Sequence, residues 1–366
     1  MIERLAVLGT GLIGTSVGLA AKRAGAASVA GFDPDERALS VAAERGAVDQ
    51  AAGSLEEALA DATLAVVAAP VSQLAALLPA VLAGSSAETT VTDVGSTKAA
   101  ISAVAAGTGR FVGGHPMCGS ESRGPEHATA DLFEGATWFL TPVAGTDPVS
   151  HRLVHGFVTG LGATPVAIEP EAHDRIVALA SHFPHALANL LVNQAGETRV
   201  EGHDPLAAAG GSLREMTRVA GANPRIWVDI FLENADALGA SLADHRRRVG
   251  QLEQALEARD AGFLARWIGE ASSNRRRLLA EAFPDPVVLQ QLHVHVPDRP
   301  GVLAGITQAL GAARINIEDF ELHHVSPERG GNLTVLVSGA DAAARAAELL
   351  EEQGYGVVVE PVLEKP

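Results

Sequence analysis

The feature that most constrains this chain is a glycine turn set between two apolar runs near its start. Residues 5–8 lead into Gly9-Thr10-Gly11-Leu12-Ile13-Gly14, and residues 12–24 continue in a helical pattern. A strand, a G-x-G-x-x-G turn and a helix in that order open a doubly wound α/β sheet. Gly9 permits the tight turn, Gly11 lets the backbone approach a pyrophosphate, and Gly14 allows close packing of helix on strand. The helix N-terminus, with Leu12 and Ile13 in its first turn, faces the phosphates. A second apolar run, residues 28–32, ends in Asp33, near the distance at which a carboxylate accepts hydrogen bonds from the adenosine ribose. The same charge repels a 2′-phosphate, so the expected cofactor is NAD rather than NADP.

The pattern after this opening predicts three domains, and a length of 366 residues accommodates them. Up to about residue 170, apolar runs at 64–69, 90–93, 110–113, 137–141 and 164–168 alternate with amphipathic helices, which predicts a parallel Rossmann-like sheet. Ligands of such sheets lie beyond the carboxyl ends of the strands, so Pro70, Val71, Ser96 and His115 are expected to line one crevice. Over residues 171–286 strand signals give way to helices expected at 173–198, 206–219, 224–247 and 250–283. So much apolar helical surface predicts a body that pairs with a second copy of the chain. Residues 288–366 change period again, to the order βαββαβ of a ferredoxin-like domain.

Composition narrows the function classes. A hydrophobic fraction of 47% supports packed cores, and a formal net charge of −17 argues against a nucleic-acid partner, whose phosphates call for Lys and Arg. Anionic ligands must therefore meet local arginine. A single cysteine excludes an intrachain disulfide, and the first residues run directly into a strand with no leader pattern. No uninterrupted apolar run of membrane-spanning length is read in the sequence. The expectation is a cytoplasmic protein without a membrane partner. No spacing of His and Cys suggests a metal.

Several residues have the chemistry for a site. His115, in Gly113-Gly114-His115-Pro116, follows a short apolar strand. It suits a general base that takes a proton from an alcohol while hydride leaves, or else a structural cap on the strand. Ser96 is placed to bond that hydroxyl and the imidazole, or to cap a helix, and Lys98 to meet a phosphate or carboxylate. Ser181 and His185 stand four apart on one helical face while His182 points elsewhere, and Pro184 between them predicts a kink. Arg214 and Arg218, at i and i+4, are expected on one face as a carboxylate fork or as solvated charge, with Arg225 and Trp227 following. Cys118 reads as a packing residue.

Taken together, GTGLIG, DVGSTK, GGHPMCGSE, SHFPH, GGSLREMTR and NPRIW resemble the prephenate dehydrogenase family of tyrosine biosynthesis, over nearly the whole chain. Residues 296–304 and 315–319 look like the ligand loop and facing turn of an ACT domain. The resemblance implies NAD-dependent oxidative decarboxylation of prephenate to 4-hydroxyphenylpyruvate and CO2 by a homodimer. It implies His115 and Ser96 as catalytic residues, with Gly9, Gly11, Leu12, Ile13, Gly14, Asp33, Pro70, Val71 and Lys98 at the cofactor. Arg218, His185, Ser181, Glu121, Gly211 and Trp227 would serve the substrate, and Trp227 sits where relatives can reach the partner's site. Asp298, Gly301, Val302, Leu303 and Asn316 would receive an aromatic amino acid, most simply tyrosine, as effector. Two departures stand out: Ser212-Leu213-Arg214-Glu215 where the family often has phenylalanine and aspartate around the arginine, and Cys118 in place of alanine. Arogenate dehydrogenase is the nearest alternative, ahead of a 3-hydroxyacid dehydrogenase or a non-catalytic amino-acid sensor.

Overall fold

The computed structural model describes residues 2–118, 123–281, 288–326 and 330–362. The chain forms two compact units, Met1–Gln194 with Thr217–His245, and Ala195–Met216 with Arg246–Pro366. The helical block expected over 171–286 is thus shared between them.

The first unit is built on eight strands: β1 (Arg4–Leu8), β2 (Ser28–Phe32), β3 (Gln50–Ala51), β4 (Leu64–Val67), β5 (Thr90–Asp93), β6 (Phe111–Pro116), β7 (Thr137–Thr141) and β8 (Thr164–Ala167). Their order is β3-β2-β1-β4-β5-β6-β7-β8. Helices α1 (Leu12–Arg23), α2 (Glu36–Glu44), α3 (Leu55–Leu59), α4 (Val71–Gly84), α5 (Ala99–Val104) and α6 (Pro148–Gly160) are threaded between them. Strands buried on both faces need no alternation of polar residues, which is why they read as unbroken apolar runs. Leu5 and Val7 join one core with Val17, Val29, Val66 and Trp138, while Ala6 and Leu8 join the opposite one with Val67, Leu74, Leu78 and Phe111. Two features depart from the expected parallel sheet. The two-residue β3 was too short to leave a pattern, and β7 runs antiparallel to β6. Parallel neighbours require a crossover segment, usually a helix; among the described residues the β6–β7 connection holds only the 3-10 turn Pro125–His127.

Beyond the sheet come α7 (Pro170–Val177), a π-helical turn Ala178–His182, α8 (Phe183–Glu197), α9 (Gly211–Met216), α10 (Pro224–Glu233), α11 (Ala235–Glu257) and α12 (Ala261–Glu281). The boundaries differ from the expected ones. The chain breaks at Asn234 and at 258–260, where the Asp260 carboxylate accepts from the Phe263 N–H as a cap, rather than near 248–249. The 28-residue stretch Pro170–Glu197 is also long and apolar enough, by length and composition alone, to cross a membrane. This qualifies the reading of no such run. Its His173, Asp174 and His182 are buried and bonded inside the unit, and a carboxylate of that kind is costly in a bilayer.

In the second unit, β9 (Leu289–Val296), α13 (Val302–Ala312), β10 (Asp319–Ser326), β11 (Gly330–Ser338), α14 (Ala340–Glu352) and β12 (Gly356–Pro361) make an antiparallel sheet ordered β10-β11-β9-β12. This is the predicted βαββαβ arrangement. One face is the core: Leu292, Val294 and Val296 alternate inward with Leu333, Val335 and Val337, against Ile306, Leu310, Ala346 and Leu350 of the helices.

The turn from β5 into α5 gives the first unit its rigid centre. Lys98 and Asp93 are both fully buried and form an ion pair, and the Lys98 ammonium also donates to the Gly114 carbonyl at 2.8 Å. The Gly114 N–H returns a bond to Asp93 Oδ1 at 3.0 Å. Lys98 is therefore corrected from cofactor ligand to internal strut, because its charge is spent within the protein. Removing one partner of a buried pair strands the other, so Lys98→Ala is expected to lower the unfolding free energy by about 3–5 kcal/mol. Urea denaturation measures this; an unmoved midpoint with weakened dinucleotide binding would return Lys98 to the ligand.

Candidate active site

The turn after β1 has the shape a dinucleotide requires. Gly9 sits at φ +98°, and a Cβ there would lie 2.4 Å from the Ala68 carbonyl oxygen. A Cβ on Gly14 would lie 1.8 Å from the Gly9 oxygen, so helix and turn touch backbone to backbone. At Gly11 no protein atom stands within 4 Å of such a position. Open space at the glycine that caps α1, with no side chain capping that helix, leaves N–H groups of its first turn for an anion. Asp33, at the end of β2, is already oriented. Its Oδ2 accepts from the Thr10 N–H at 2.6 Å and hydroxyl at 3.2 Å, and its Oδ1 from the Asp35 N–H at 2.9 Å. The residues thus fit a dinucleotide. Pro70 and Val71 open α4 beyond β4, next to β1 in the sheet.

His115 lies near the carboxyl end of β6, half-buried, opposite Phe139 of β7. Its Nδ1 is 2.9 Å from Nε2 of His173, whose own Nδ1 is 2.8 Å from Asp174 Oδ1. Ser96 forms no side-chain hydrogen bond among the described residues; the imidazole expected beside it is engaged by His173 instead. Asp174 also accepts from the N–H groups of Lys98 and Ala99 at 2.8 and 2.9 Å, which fastens α7 to the start of α5. Burial pushes its carboxyl up, but the bonds from His173, Ala99 and Lys98 outweigh it and hold the pKa below the ordinary value. Burial, with the charges of His173, Lys98 and His182, holds His115 well below the usual histidine range. The ring is therefore neutral at neutral pH, as a general base must be.

A second group gathers around Trp227. His185 stacks on it, with centroids 3.5 Å apart, and His182 meets it edge-on at 6.1 Å. His182, expected to point elsewhere, is buried and bonded to the Asn234 amide at 3.1 Å, while that amide donates to the Asp174 carbonyl at 2.8 Å. The expected kink at Pro184 takes the form of the π turn, in which the Phe183 N–H reaches back to the Ala178 carbonyl. Pro184 lacks the N–H that an α-helix would aim at residue 180, and the wider turn absorbs the loss. His185 meets Ser181 through that residue's carbonyl, at 3.1 Å, not its hydroxyl. Burial lowers the His185 pKa, the Ser181 bond opposes this, and the nearby Arg218 charge lowers it further.

Residues 17–167 match the family model for the prephenate dehydrogenase nucleotide-binding domain, residues 169–270 that for its dimerization domain, and residues 290–354 the ACT domain. A prephenate dehydrogenase of Bacillus subtilis is 32% identical over 359 residues, covering 96% of both chains. The chain belongs to the prephenate dehydrogenase family. Among solved structures, the A. aeolicus prephenate dehydrogenase in complex with hydroxyphenyl propionate and NAD+ is similar at 26% identity and a TM-score of 0.71, covering 76% of this chain and 99% of that one. A Synechocystis arogenate dehydrogenase is similar at 28% identity and a TM-score of 0.68, covering 75% and 99%.

Within this prephenate dehydrogenase fold, Gly9, Gly11, Leu12, Ile13, Gly14 and Asp33 stand together at the carboxyl edge of β1 and β2. Arg214 and Arg218 do not share a helical face. Helix α9 ends at Met216, Thr217 leaves helical geometry at φ −106° and ψ 5°, and Arg218 opens a 3-10 turn. Gly211 opens α9 in the second unit. Trp227 is engaged by histidines of its own chain. Glu121 lies outside the described residues. Burial raises the Cys118 thiol to about 11, in keeping with a packing residue. In the ACT domain Gly301, at φ +89°, caps α13; Val302 is a core residue and Leu303 packs against that core, while Asp298 and Asn316 are exposed. Sequence reasoning missed His173, Asp174 and Asn234. The available signal was that His173 and Asp174 occupy the stripe continued by Val177 and Ala178, where apolar residues belong.

Histidines held below the ordinary value make stability depend on pH. An unfolded chain takes up protons near 6.5 that folded His182 refuses until about 4, so stability is complete above pH 6.5 and declines as pH falls to about 4. Asp174, whose pKa is lowered from 3.8, adds its loss only below that window. Denaturation across pH 4 to 7.5 is expected to give this slope, and His182→Gln to flatten it; equal slopes in both proteins would contradict the assignment.

Proposed function

We propose that the protein catalyses NAD-dependent oxidative decarboxylation of prephenate to 4-hydroxyphenylpyruvate and CO2. The observation that carries this is a neutral His115 at the carboxyl edge of a dinucleotide-binding sheet. A second group, His185 with the Arg218 charge beside it, supports a subsite for a carboxylate. NAD, when bound along the turn from Gly9 to Gly14 with its adenosine ribose at Asp33, supplies the hydride acceptor. His115 takes the proton of the ring hydroxyl as its carbon gives up hydride. Loss of the ring carboxylate as CO2 then sends its electron pair through the ring to the carbonyl oxygen, which makes the ring aromatic, and that oxygen recovers its proton from His115. Ser96 supports the hydroxyl, and Ser181 and Trp227 shape the substrate side. Arg218 holds a substrate carboxylate by a charge-assisted bond. Asp33 disfavours a 2′-phosphate, because three N–H and O–H groups tie it in place and it cannot swing aside.

Arogenate, which differs from prephenate by an amino group in place of a keto group, is the second reading, favoured by the similarity to the Synechocystis enzyme. Reduction of NAD with each substrate side by side decides between them. His115→Asn is expected to lower kcat by roughly 100- to 10,000-fold with NAD affinity retained; wild-type turnover in that variant would remove the base from the mechanism.

The protein acts as a cytoplasmic homodimer in this reading. Exposed Ile176, Leu179, Leu190, Ile226, Val228 and Leu232 of the first unit are apolar surface that a second copy would cover. Residues 288–366 receive tyrosine as a feedback effector. Gly301 caps an 11-residue helix whose N-terminal N–H groups suit an amino-acid carboxylate, with Asp298 and Asn316 exposed for its amino group. Tyrosine is expected to inhibit the full chain and to spare a chain ending near Asp285. Equal inhibition of both would place tyrosine at the active site instead.

A further inference from the structure

We propose that Asp174 and His173 set the tautomer of His115, so that its Nε2 carries the lone pair that receives the substrate proton. This inference rests on the reading of His115 as the base. With Asp174 ionised and His173 neutral, the chain of contacts admits one assignment of protons. An ionised carboxylate only accepts, so Asp174 Oδ1, 2.8 Å from His173 Nδ1, requires a proton on that nitrogen. A neutral His173 then has a bare Nε2, and its 2.9 Å contact to His115 Nδ1 requires His115 to donate. With Nδ1 protonated, a neutral His115 has its lone pair on Nε2. A protonated His173 would reverse this, because both its nitrogens would donate and the His115 proton would move to Nε2, leaving no base.

Each member of the chain is held from outside it. The Lys98 and Ala99 N–H groups hold both oxygens of Asp174, at 2.8 and 2.9 Å. The edge of His173 is fixed by Phe139 of β7, whose ring meets it at 82° with centroids 5.3 Å apart. His173 is wholly buried, away from bulk solvent. When His115 takes up a proton, its Nδ1–H already points at His173, so the imidazolium forms without reorganisation and Asp174 balances its charge through the intervening ring. No proton needs to pass along the chain. His173 and Asp174 are positioning residues, acting through His115 and not on the substrate.

The test compares His173→Phe, which keeps a ring and removes both nitrogens, with His173→Gln, whose amide oxygen can still accept from His115. His173→Phe is expected to lower kcat by roughly 10- to 1,000-fold, the scale of a misplaced or wrongly protonated base. The prephenate KM and the NAD dissociation constant should stay within about twofold, and His173→Gln should recover part of the rate. Nitrogen-15 NMR of the histidine rings, with His115→Asn to assign the signal, reads the tautomer directly. Wild-type protein at pH 7.5 should show His115 protonated at Nδ1, and His173→Phe should shift it toward Nε2. A wild-type His115 protonated at Nε2, or full turnover in His173→Phe, overturns the proposal, and the wild-type spectrum decides even where a variant fails to fold. Should His115→Asn keep its turnover, the base reading fails by itself, while the spectrum still reports whether the tautomer is set as proposed.

Discussion

The carboxylate of Asp174 is the point on which the first unit turns. Sheet and helices meet there, since one side chain accepts from the backbone that starts α5 and from a histidine beside it on α7. The backbone carbonyl of the same residue takes the Asn234 amide from the junction of α10 and α11. A buried carboxylate is tolerable only when its lone pairs are filled, and here the donors that fill them tie α7 to the start of α5, just after Ser96. The cost of burying the charge is thereby converted into fixed geometry.

Beneath that carboxylate, the Lys98–Asp93 pair performs a similar task for the strands. It joins β5 to β6 by side-chain bonds as well as by the ladder, and it lies against Gly113 and Gly114. A Cβ at Gly113 would come within 2.3 Å of the Thr141 hydroxyl, and one at Gly114 within 2.5 Å of the Asp93 carbonyl oxygen. The glycines ahead of His115 are therefore packing residues. They let a charged pair run under the strand and hold the next residue, His115, in one position.

How much of this was legible in the sequence follows from how far each feature depends on distant partners. The dinucleotide turn was readable because its requirements are local: three glycines, an apolar strand before and a helix after. The ferredoxin-like tail was readable because alternation with period two marks a one-sided sheet, as Leu292, Val294 and Val296 illustrate. His115 stood out by its glycine and proline neighbours. His173 and Asp174 did not, because a polar pair on a helix reads as solvent-facing until a sheet is known to cover it. Lys98 was misread for the mirror reason, since a lysine after a strand suggests a phosphate and nothing nearby shows that Asp93 has claimed it. The arginine spacing failed because a helix of six residues cannot carry a face as far as Arg218.

The π turn at Ala178–His182 has a consequence for how this site tolerates change in length. On a regular helix, His185 would be rotated roughly 120° from His173, on a different side. One residue accommodated in a wider turn takes back roughly 100° of that, and brings the histidines of α7 and α8 toward a single column. The alignment is thus a matter of phase, counted in residues. Among homologous chains, a deletion within this turn would be expected together with a displaced histidine, so that insertions and histidine positions change as a pair and not one at a time.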